Sequence, residues 1–208
     1  MILAALLLAQ VSAPSTPQTA VDAERAFAAD AQKDGQWTAF RRWAADDAIM
    51  FDPKPVNAQV LLKPLKDPPK AIMWAPAKSF VSCDGQVAVN TGPWTRPNGT
   101  IGYFTTVWRK QPDGGWKWIV DHGDGLAQPR SVGETVRERK ASCSKPAPGL
   151  GRAPCPREFR CDHGQSSDNT LSWGWLVRAD GSRDLDVVLW DGEQYETVID
   201  DHVAAPPA

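Results

Sequence analysis

The chain lacks an excess of either charge. Its 208 residues carry 23 Lys and Arg against 25 Asp and Glu, a formal net charge of −2, and no basic block interrupts the balance. Such a chain has no electrostatic reason to collect phosphate groups, so we predict no nucleic-acid partner. Tyrosine is also scarce, with two residues against ten Trp, so the aromatic side chains mainly supply buried area and indole N–H donors.

Long apolar runs are absent as well, which excludes a membrane span. The run Ile2–Ala9 has eight residues, whereas a spanning helix needs about 20. A short run at the start of a chain is typical of a signal peptide, and Val11-Ser12-Ala13 resembles a cleavage site. We interpret residues 1–13 as a signal peptide and 14–20 as a linker, which predicts a periplasmic or secreted protein. A frayed apolar N-terminus is the alternative.

Several catalytic and nucleotide-binding motifs are missing. The sequence contains no GxSxG, P-loop or HExxH, and no GxGxxG at a strand–helix junction. Serine hydrolase, nucleotide-binding and zinc-protease functions therefore have no support. We expect no cofactor.

What is present is an order of helices followed by strands. Apolar residues at helical spacing predict one helix over 20–34, ended by Gly35, and a second whose apolar stripe runs to Ala48. The Pro-rich stretch 53–76 excludes a long third helix. This order predicts an α+β domain over 21–125. Turn signals separate its expected strands, Gln86–Trp94, Thr100–Lys110 and Trp116–His122.

The C-terminal part of the chain consists of an irregular segment followed by a β segment. Residues 126–168 have no hydrophobic periodicity and hold three of the four Cys, so we interpret them as an irregular connector. Residues 169–203 alternate polar and apolar positions between Asp-Gly turns, which predicts a three-stranded β meander. A lone meander is only marginally stable. We therefore expect Trp173 and Trp175 to be buried against the first domain, with a sugar-stacking platform as the alternative.

Two segments of the first domain resemble a known family. One is Cys83-Asp84-Gly85 followed by 88–94, and the other is 102–111 followed by Asp113-Gly114-Gly115-Trp116-Lys117-Trp118. They are similar to the SnoaL-like branch of the nuclear-transport-factor-like superfamily, over roughly residues 22–125. The resemblance implies a cone, in which a curved antiparallel sheet wraps around N-terminal helices and encloses an apolar pocket. That superfamily includes isomerases, dehydratases and non-catalytic binding proteins, so the fold does not determine the activity.

Asp121, His122 and Asp124 form the densest titratable cluster. His122 is a candidate general base oriented by Asp124, and Asp121 is a second catalytic candidate. Strict alternation along the strand puts His122 on the same face as Trp116 and Trp118, and puts Asp121 on the other face. The alternative is a solvated strand end before a Gly-rich turn.

Four further residues are candidates for contacting a ligand. Tyr103 lies in a central strand, where it is either an oxyanion-hole donor or a core tyrosine. Trp108 lies on the same strand. Asp52 and Asn57 flank the first expected strand, Ile49-Met50-Phe51, where they either enter the pocket or serve the adjacent turn.

The four Cys residues are expected to pair if the chain is exported. Cys155–Cys161 is the favoured disulfide, and Cys83 is a candidate partner of Cys143. A zinc site of Cys143, Cys155, Cys161 and His163 is the alternative, but its spacing matches no standard motif, so we expect no metal.

Three functions remain open on the sequence. We favour non-catalytic binding of a small apolar ligand in the cone pocket. A ketosteroid-isomerase-like acid–base enzyme, either an isomerase or a dehydratase, is the second. The third is an envelope interaction module in which the Trp-rich appendage forms a docking or homodimer surface.

Overall fold

The structure is a computed structural model, and it describes residues 16–151 and 154–207. The expected signal peptide, 1–13, lies outside the described residues. Within those ranges, no helix is long and apolar enough to cross a membrane. The described elements, in chain order, are α1 (Ala20–Asp34), α2 (Gln36–Trp43), β1 (Ala44–Asp52), β2 (Lys54–Asn57), α3 (Ala58–Leu62), β3 (Met73–Trp74), β4 (Lys78–Val81), β5 (Val87–Thr95), β6 (Ile101–Lys110), β7 (Trp116–Leu126), β8 (Arg137–Lys140), β9 (Arg160–Gln165), β10 (Leu171–Val177), β11 (Arg183–Trp190) and β12 (Tyr195–Val203).

Helix α1 has the bounds that the sequence predicts. The Thr19 hydroxyl accepts a hydrogen bond from the Asp22 backbone N–H at 3.1 Å, which caps the first turn. Gly35, with φ of 107°, ends the helix in a conformation that residues with a side chain rarely adopt. The buried face of α1 carries Glu24 beside Phe27, so the helix brings a carboxyl group inside the protein.

Helix α2 is shorter than its apolar stripe predicts. It ends at Trp43, and Ala44 begins β1, where the stripe predicts helix as far as Ala48. The prediction was wrong because alanines at 44 and 48 suit a buried helix face and a buried strand equally well. Parallel pairing of Ala44 with Trp118 of β7 decides for the strand. The single helix described in the Pro-rich stretch is the five-residue α3, so no long third helix forms there, as expected.

Strands β5, β6 and β7 form the centre of the large sheet. They pair antiparallel, β1 pairs parallel with β7, and the full order is β2-β1-β7-β6-β5-β4-β8, with β3 also on β5. The helices pack against one face, which we call the concave face. There Phe27 of α1 contacts Trp108, with ring centroids 6.1 Å apart, and Phe40 of α2 contacts Trp118 at 6.3 Å. The expected α+β cone is confirmed.

A β-bulge in β7 changes which side chains share a face. Val107 of β6 pairs with Val120, but the next residue of β6, Trp108, pairs with Trp118, so Ile119 is an extra residue. Beyond the bulge, Asp121 shares the concave face with Trp118 and His122 lies on the opposite, convex face. Strict alternation predicts that His122 shares the face of Trp118 and that Asp121 lies on the other face. That prediction was wrong because it assumes a period of two, and the inserted residue breaks that period.

The C-terminal sheet has four strands, in the order β12-β11-β10-β9, where the sequence predicts three. The additional strand β9 lies in the segment interpreted as irregular, and so does β8, which pairs with β4 at the edge of the large sheet. Both are edge strands of mostly exposed, polar residues, so they have no apolar alternation from which to predict them. Their pairing with a neighbouring strand makes them strands.

The C-terminal sheet packs on the convex face of the large sheet. Phe51 of β1 contacts Trp175 of β10 with ring centroids 5.4 Å apart, and the Thr105 hydroxyl of β6 donates to Asp201 of β12 at 2.6 Å. Trp173 and Trp175 are each 8% exposed, so the appendage buries them as the sequence predicts.

Two disulfides tie the irregular segments to the sheets. Cys155 is bonded to Cys161, the pair favoured on the sequence, and Cys83 is bonded to Cys143. These bonds use every sulfur atom of the alternative zinc set, so that set has no thiolate to offer a metal ion.

Candidate functional site

A cavity of about 320 Å³ opens between the helices and the concave face of the sheet. Charged groups reach its wall from several elements: Glu24 from α1, Asp121 and Asp124 from β7, Arg96 from the turn after β5, and Arg183 from β11. An apolar cavity with few polar groups is typical of small-molecule sites. Its aromatic lining consists of Phe27, Trp37, Phe40, Phe51, Trp74, Trp94, Tyr103 and Phe104.

Glu24 is the most deeply buried acid of this wall, with 1% of its surface exposed. Its carboxyl oxygens accept hydrogen bonds from the indole N–H groups of Trp74, at 2.8 Å, and Trp108, at 2.7 Å, and from the Asn90 side-chain amide at 3.3 Å. Burial raises the pKa of Glu24 to about 7, although the three hydrogen bonds oppose that rise. Glu24 therefore joins α1 to strands β3, β5 and β6 through one side chain.

The Asp121 carboxyl group has fewer hydrogen bonds than that of Glu24. The Thr106 hydroxyl donates a long hydrogen bond to it, at 3.4 Å, and its remaining exposure faces the cavity that it lines. Burial raises the pKa of Asp121 to about 7, and both Thr106 and the nearby Arg183 guanidinium oppose the rise. A carboxyl group that has a pKa near neutrality and spare lone pairs can accept or donate a proton at the cavity wall.

His122 lies between the two sheets, on the convex side, and it also lines the cavity. It is 3% exposed, its Nδ1 is 4.0 Å from the Asp201 carboxylate, and neither ring nitrogen has a hydrogen-bond partner among the described residues. Burial lowers the pKa of His122 to about 3, with help from Arg183 and Arg130, so the ring is neutral at physiological pH. Asp124, expected to orient it, instead accepts a hydrogen bond from the Gly125 backbone at 2.8 Å.

Tyr103 and Trp108 are both buried, in different settings. The Tyr103 ring lies beneath the Arg130 guanidinium, 3.4 Å from ring centre to Cζ, and its hydroxyl has no hydrogen-bond partner among the described residues. Burial raises the pKa of Tyr103. Trp108 is fully buried and donates to Glu24, so it can influence a ligand only through that carboxyl group.

Asp52 and Asn57 lie away from the cavity wall. Asp52 is exposed at the turn between β1 and β2. The Asn57 side chain caps α3 by accepting from the Val60 N–H at 3.1 Å, and it donates to the Asp46 carbonyl at 2.7 Å. Both residues therefore serve the chain turns around them, which was the alternative interpretation of their positions.

Arg183 brings a cation from the C-terminal sheet to the cavity. Its Nη2 donates to the Gly123 carbonyl of β7 at 2.7 Å, and its Cζ lies 5.5 Å from the centre of the Phe51 ring. Burial lowers the pKa of Arg183, and the nearby Asp124 and Asp121 carboxylates oppose that effect. The guanidinium makes no ion pair with any described residue.

Sequence reasoning missed Glu24 and Arg183. Glu24 carried a usable signal, because Ala20, Glu24, Phe27 and Ala31 follow the spacing of one buried helix face, and a carboxyl group on such a face needs an explanation. Arg183 begins a strand next to a turn and carried no comparable signal.

Solved structures resemble about half of the chain. No protein-family profile matches it, and no curated protein does. A Parabacteroides distasonis protein provisionally named a ketosteroid isomerase is 19% identical over 53% of this chain and 90% of its own, with a TM-score of 0.43. A nuclear transport factor 2-like superfamily protein from Salmonella enterica is 17% identical over 55% and 93%, with a TM-score of 0.36. The Δ5-3-ketosteroid isomerase from Mycobacterium sp. is 16% identical over 53% and 93%, with a TM-score of 0.35. Likeness at this level carries no argument about activity.

Proposed function

We propose that the protein binds a small, largely apolar molecule in the cavity of the cone. The aromatic wall around about 320 Å³ of space carries this proposal. The wall is assembled before any ligand arrives, since Phe27 packs on Phe40 and Trp74 with ring centroids 4.7 and 4.8 Å apart. Rings held by one another lose little freedom when a ligand binds, which favours affinity.

The polar groups at the wall imply that the ligand has a polar substituent. Glu24 already accepts three hydrogen bonds, so its role is to hold α1 on the sheet. Among the described residues, Asp121 accepts only one hydrogen bond, from Thr106, and keeps capacity for a ligand. A carbonyl, hydroxyl or carboxyl group of the ligand would therefore face Asp121.

Filling the cavity should weaken binding. Ile72 lines the cavity, whereas its neighbour Met73 is 60% exposed. We expect Ile72→Trp to weaken binding of a neutral bicyclic probe, 2-naphthamide, at least about tenfold, which corresponds to about 1.4 kcal/mol. Met73→Trp adds the same bulk outside the cavity and should leave the affinity within about twofold. Isothermal titration calorimetry measures both, and equal affinities for the two variants would contradict the proposal.

Asp121 favours a second candidate function, proton transfer at a carbon next to a carbonyl group. Because burial raises its pKa to about 7, both of its protonation states are populated near neutral pH, as general acid–base catalysis requires. Asp121 would take the proton, the electron pair of the C–H bond would move toward the carbonyl oxygen to give an enolate, and the same carboxyl group would return the proton to carbon. This is the acid–base function that the sequence leaves open, with Asp121 as the general base in place of His122.

Hydrogen exchange tests this second candidate. In D2O, exchange of the α-hydrogens of 1-tetralone, followed by proton NMR, should be faster with the protein than in buffer. The rate should rise with pH through about 7, because the base is the ionised form of Asp121. Asp121→Asn should lose at least about 100-fold of the acceleration. Asp124→Asn, on the same strand and at the same wall, should keep it within about threefold, and an unchanged rate in Asp121→Asn would exclude catalysis by this group.

We also infer that the protein acts outside the cytoplasm, in the periplasm or after secretion. Its two disulfides support this location, because such bonds persist in oxidising compartments. Protein taken from its native host and alkylated without reduction should carry no free thiol, and four free thiols would contradict the inference.

A further inference from the structure

The two strands that flank the cavity separate at the level of Asp121. β1 and β7 pair through Ala44 with Trp118 and through Ile49 with Val120, and in the described residues β7 has no β1 partner beyond that point. The Gly123 carbonyl lies in this part of β7, which pairs with β6 but not with β1, and the Arg183 guanidinium reaches it from β11. The C-terminal sheet therefore supplies one part of the cavity wall.

Arg183 differs from Arg109 and Arg130, which also lie beside the sheets, in having no counter-ion among the described residues. Arg109 pairs with Asp47 at 2.8 Å, and Arg130 pairs with Asp201 at 2.9 Å. Arg183 makes one hydrogen bond, to the neutral Gly123 carbonyl, and its Nε is buried without a partner among the described residues. A half-buried, unpaired guanidinium is costly to desolvate, and an anionic group placed against it would offset that cost.

The groups around Arg183 leave space for such an anion. Asp121 is close enough for each charge to affect the other, yet the two form no ion pair within 4.0 Å among the described residues. When Asp121 is protonated it becomes a second donor facing the same region. The Asp124 carboxylate acts on Arg183 from beyond ion-pair distance and accepts a hydrogen bond from the Gly125 backbone, and Arg96 is stacked on Trp94 at 4.8 Å.

We propose that the cavity takes an apolar molecule with a carboxylate group, and that Arg183 binds this carboxylate with a protonated Asp121 as the second donor. The proposal rests on the binding function proposed above and names its ligand class and its specificity-determining residue. It also gives the C-terminal sheet a role in recognition, because a cone domain alone would lack Arg183.

A pH signature follows from the second donor. Ionisation of Asp121 removes its O–H and places a negative charge beside the ligand's carboxylate, so affinity for an anionic probe should fall as the pH rises through about 7. Glu24, with a pKa also near 7, adds repulsion of the same sign from α1. His122 stays neutral across this range, because burial lowers its pKa to about 3. Affinity for a neutral probe should change little.

The experiment compares 2-naphthoate with 2-naphthamide, which match in size and differ in charge. By isothermal titration calorimetry at pH 6, the full chain should bind naphthoate at least about tenfold more tightly. Arg183→Met, which keeps an apolar stem on Phe51, should abolish this preference and leave naphthamide affinity within about twofold. Arg183→Lys should retain part of the preference, and Arg109→Met, a control that removes an arginine outside the cavity lining, should retain all of it.

Each outcome decides between the two proposals. Equal affinity of the wild-type protein for both probes overturns the carboxylate inference and leaves apolar binding in place. Failure of both probes to bind overturns the binding function and the inference together. If Arg183→Met does not fold, the wild-type protein still provides the test, since a naphthoate affinity that is constant between pH 6 and 8 would overturn the inference.

Discussion

Replacing Glu24 with Ala is expected to lower the free energy of unfolding by about 4 kcal/mol near pH 5. The change leaves the indole N–H groups of Trp74 and Trp108 and the Asn90 amide without their acceptor. Each orphaned buried donor costs about 1–3 kcal/mol, and water entering the space left by the side chain recovers part of the loss. Urea unfolding followed by circular dichroism measures the effect.

The size of this loss should depend on pH in a defined direction. The pKa of Glu24 is about 7 in the folded protein and near 4.5 in the unfolded chain, so its stabilising contribution is fully present below about 4.5 and declines as the pH rises through 7. The difference between wild type and Glu24→Ala should therefore be smaller at pH 8 than at pH 5. Arg25→Ala, an exposed change on the same helix, should cost no more than about 0.5 kcal/mol at either pH. A Glu24 effect as small as that control would refute the role assigned to this carboxyl group.

Removing the Cys83–Cys143 disulfide is expected to cost about 4 kcal/mol. The bond closes a loop with a sequence separation of 60, and the chain-entropy model assigns about this value to such a loop. The loop includes β5, β6 and β7, and its end holds the exposed edge strand β8 beside β4. Thermal and urea unfolding of the double variant Cys83→Ser/Cys143→Ser measure the loss.

The second disulfide provides a matched control within the same chain. Cys155 and Cys161 are separated by six positions, for which the same model assigns about 2 kcal/mol. The variant Cys155→Ser/Cys161→Ser should thus lose about half as much stability. A larger loss from the short loop than from the long one would show that loop closure does not explain the contribution of either bond.

The candidate site could be predicted from the sequence only in part. Asp121 was named because it lies in a cluster of titratable residues, and it does line the cavity. His122 was named from the same cluster and also lines the cavity, but the extra residue Ile119 places it on the convex face. Glu24 and Arg183 come from elements on either side of the large sheet, and their approach to Asp121 depends on how α1 and β11 pack.

The sequence by itself determined the features that depend on neighbouring residues. The Thr19 cap, the Gly35 stop and the turns between the main strands are local properties of the chain, and the order of two helices followed by a meander is built from them. Only the tertiary structure decided that Ala44 begins a strand, that polar β8 and β9 are sheet edges, and that Glu24, Asp121 and Arg183 share one cavity. These features depend on pairing and burial between distant segments, and the free energy of such contacts exists only once the segments have met.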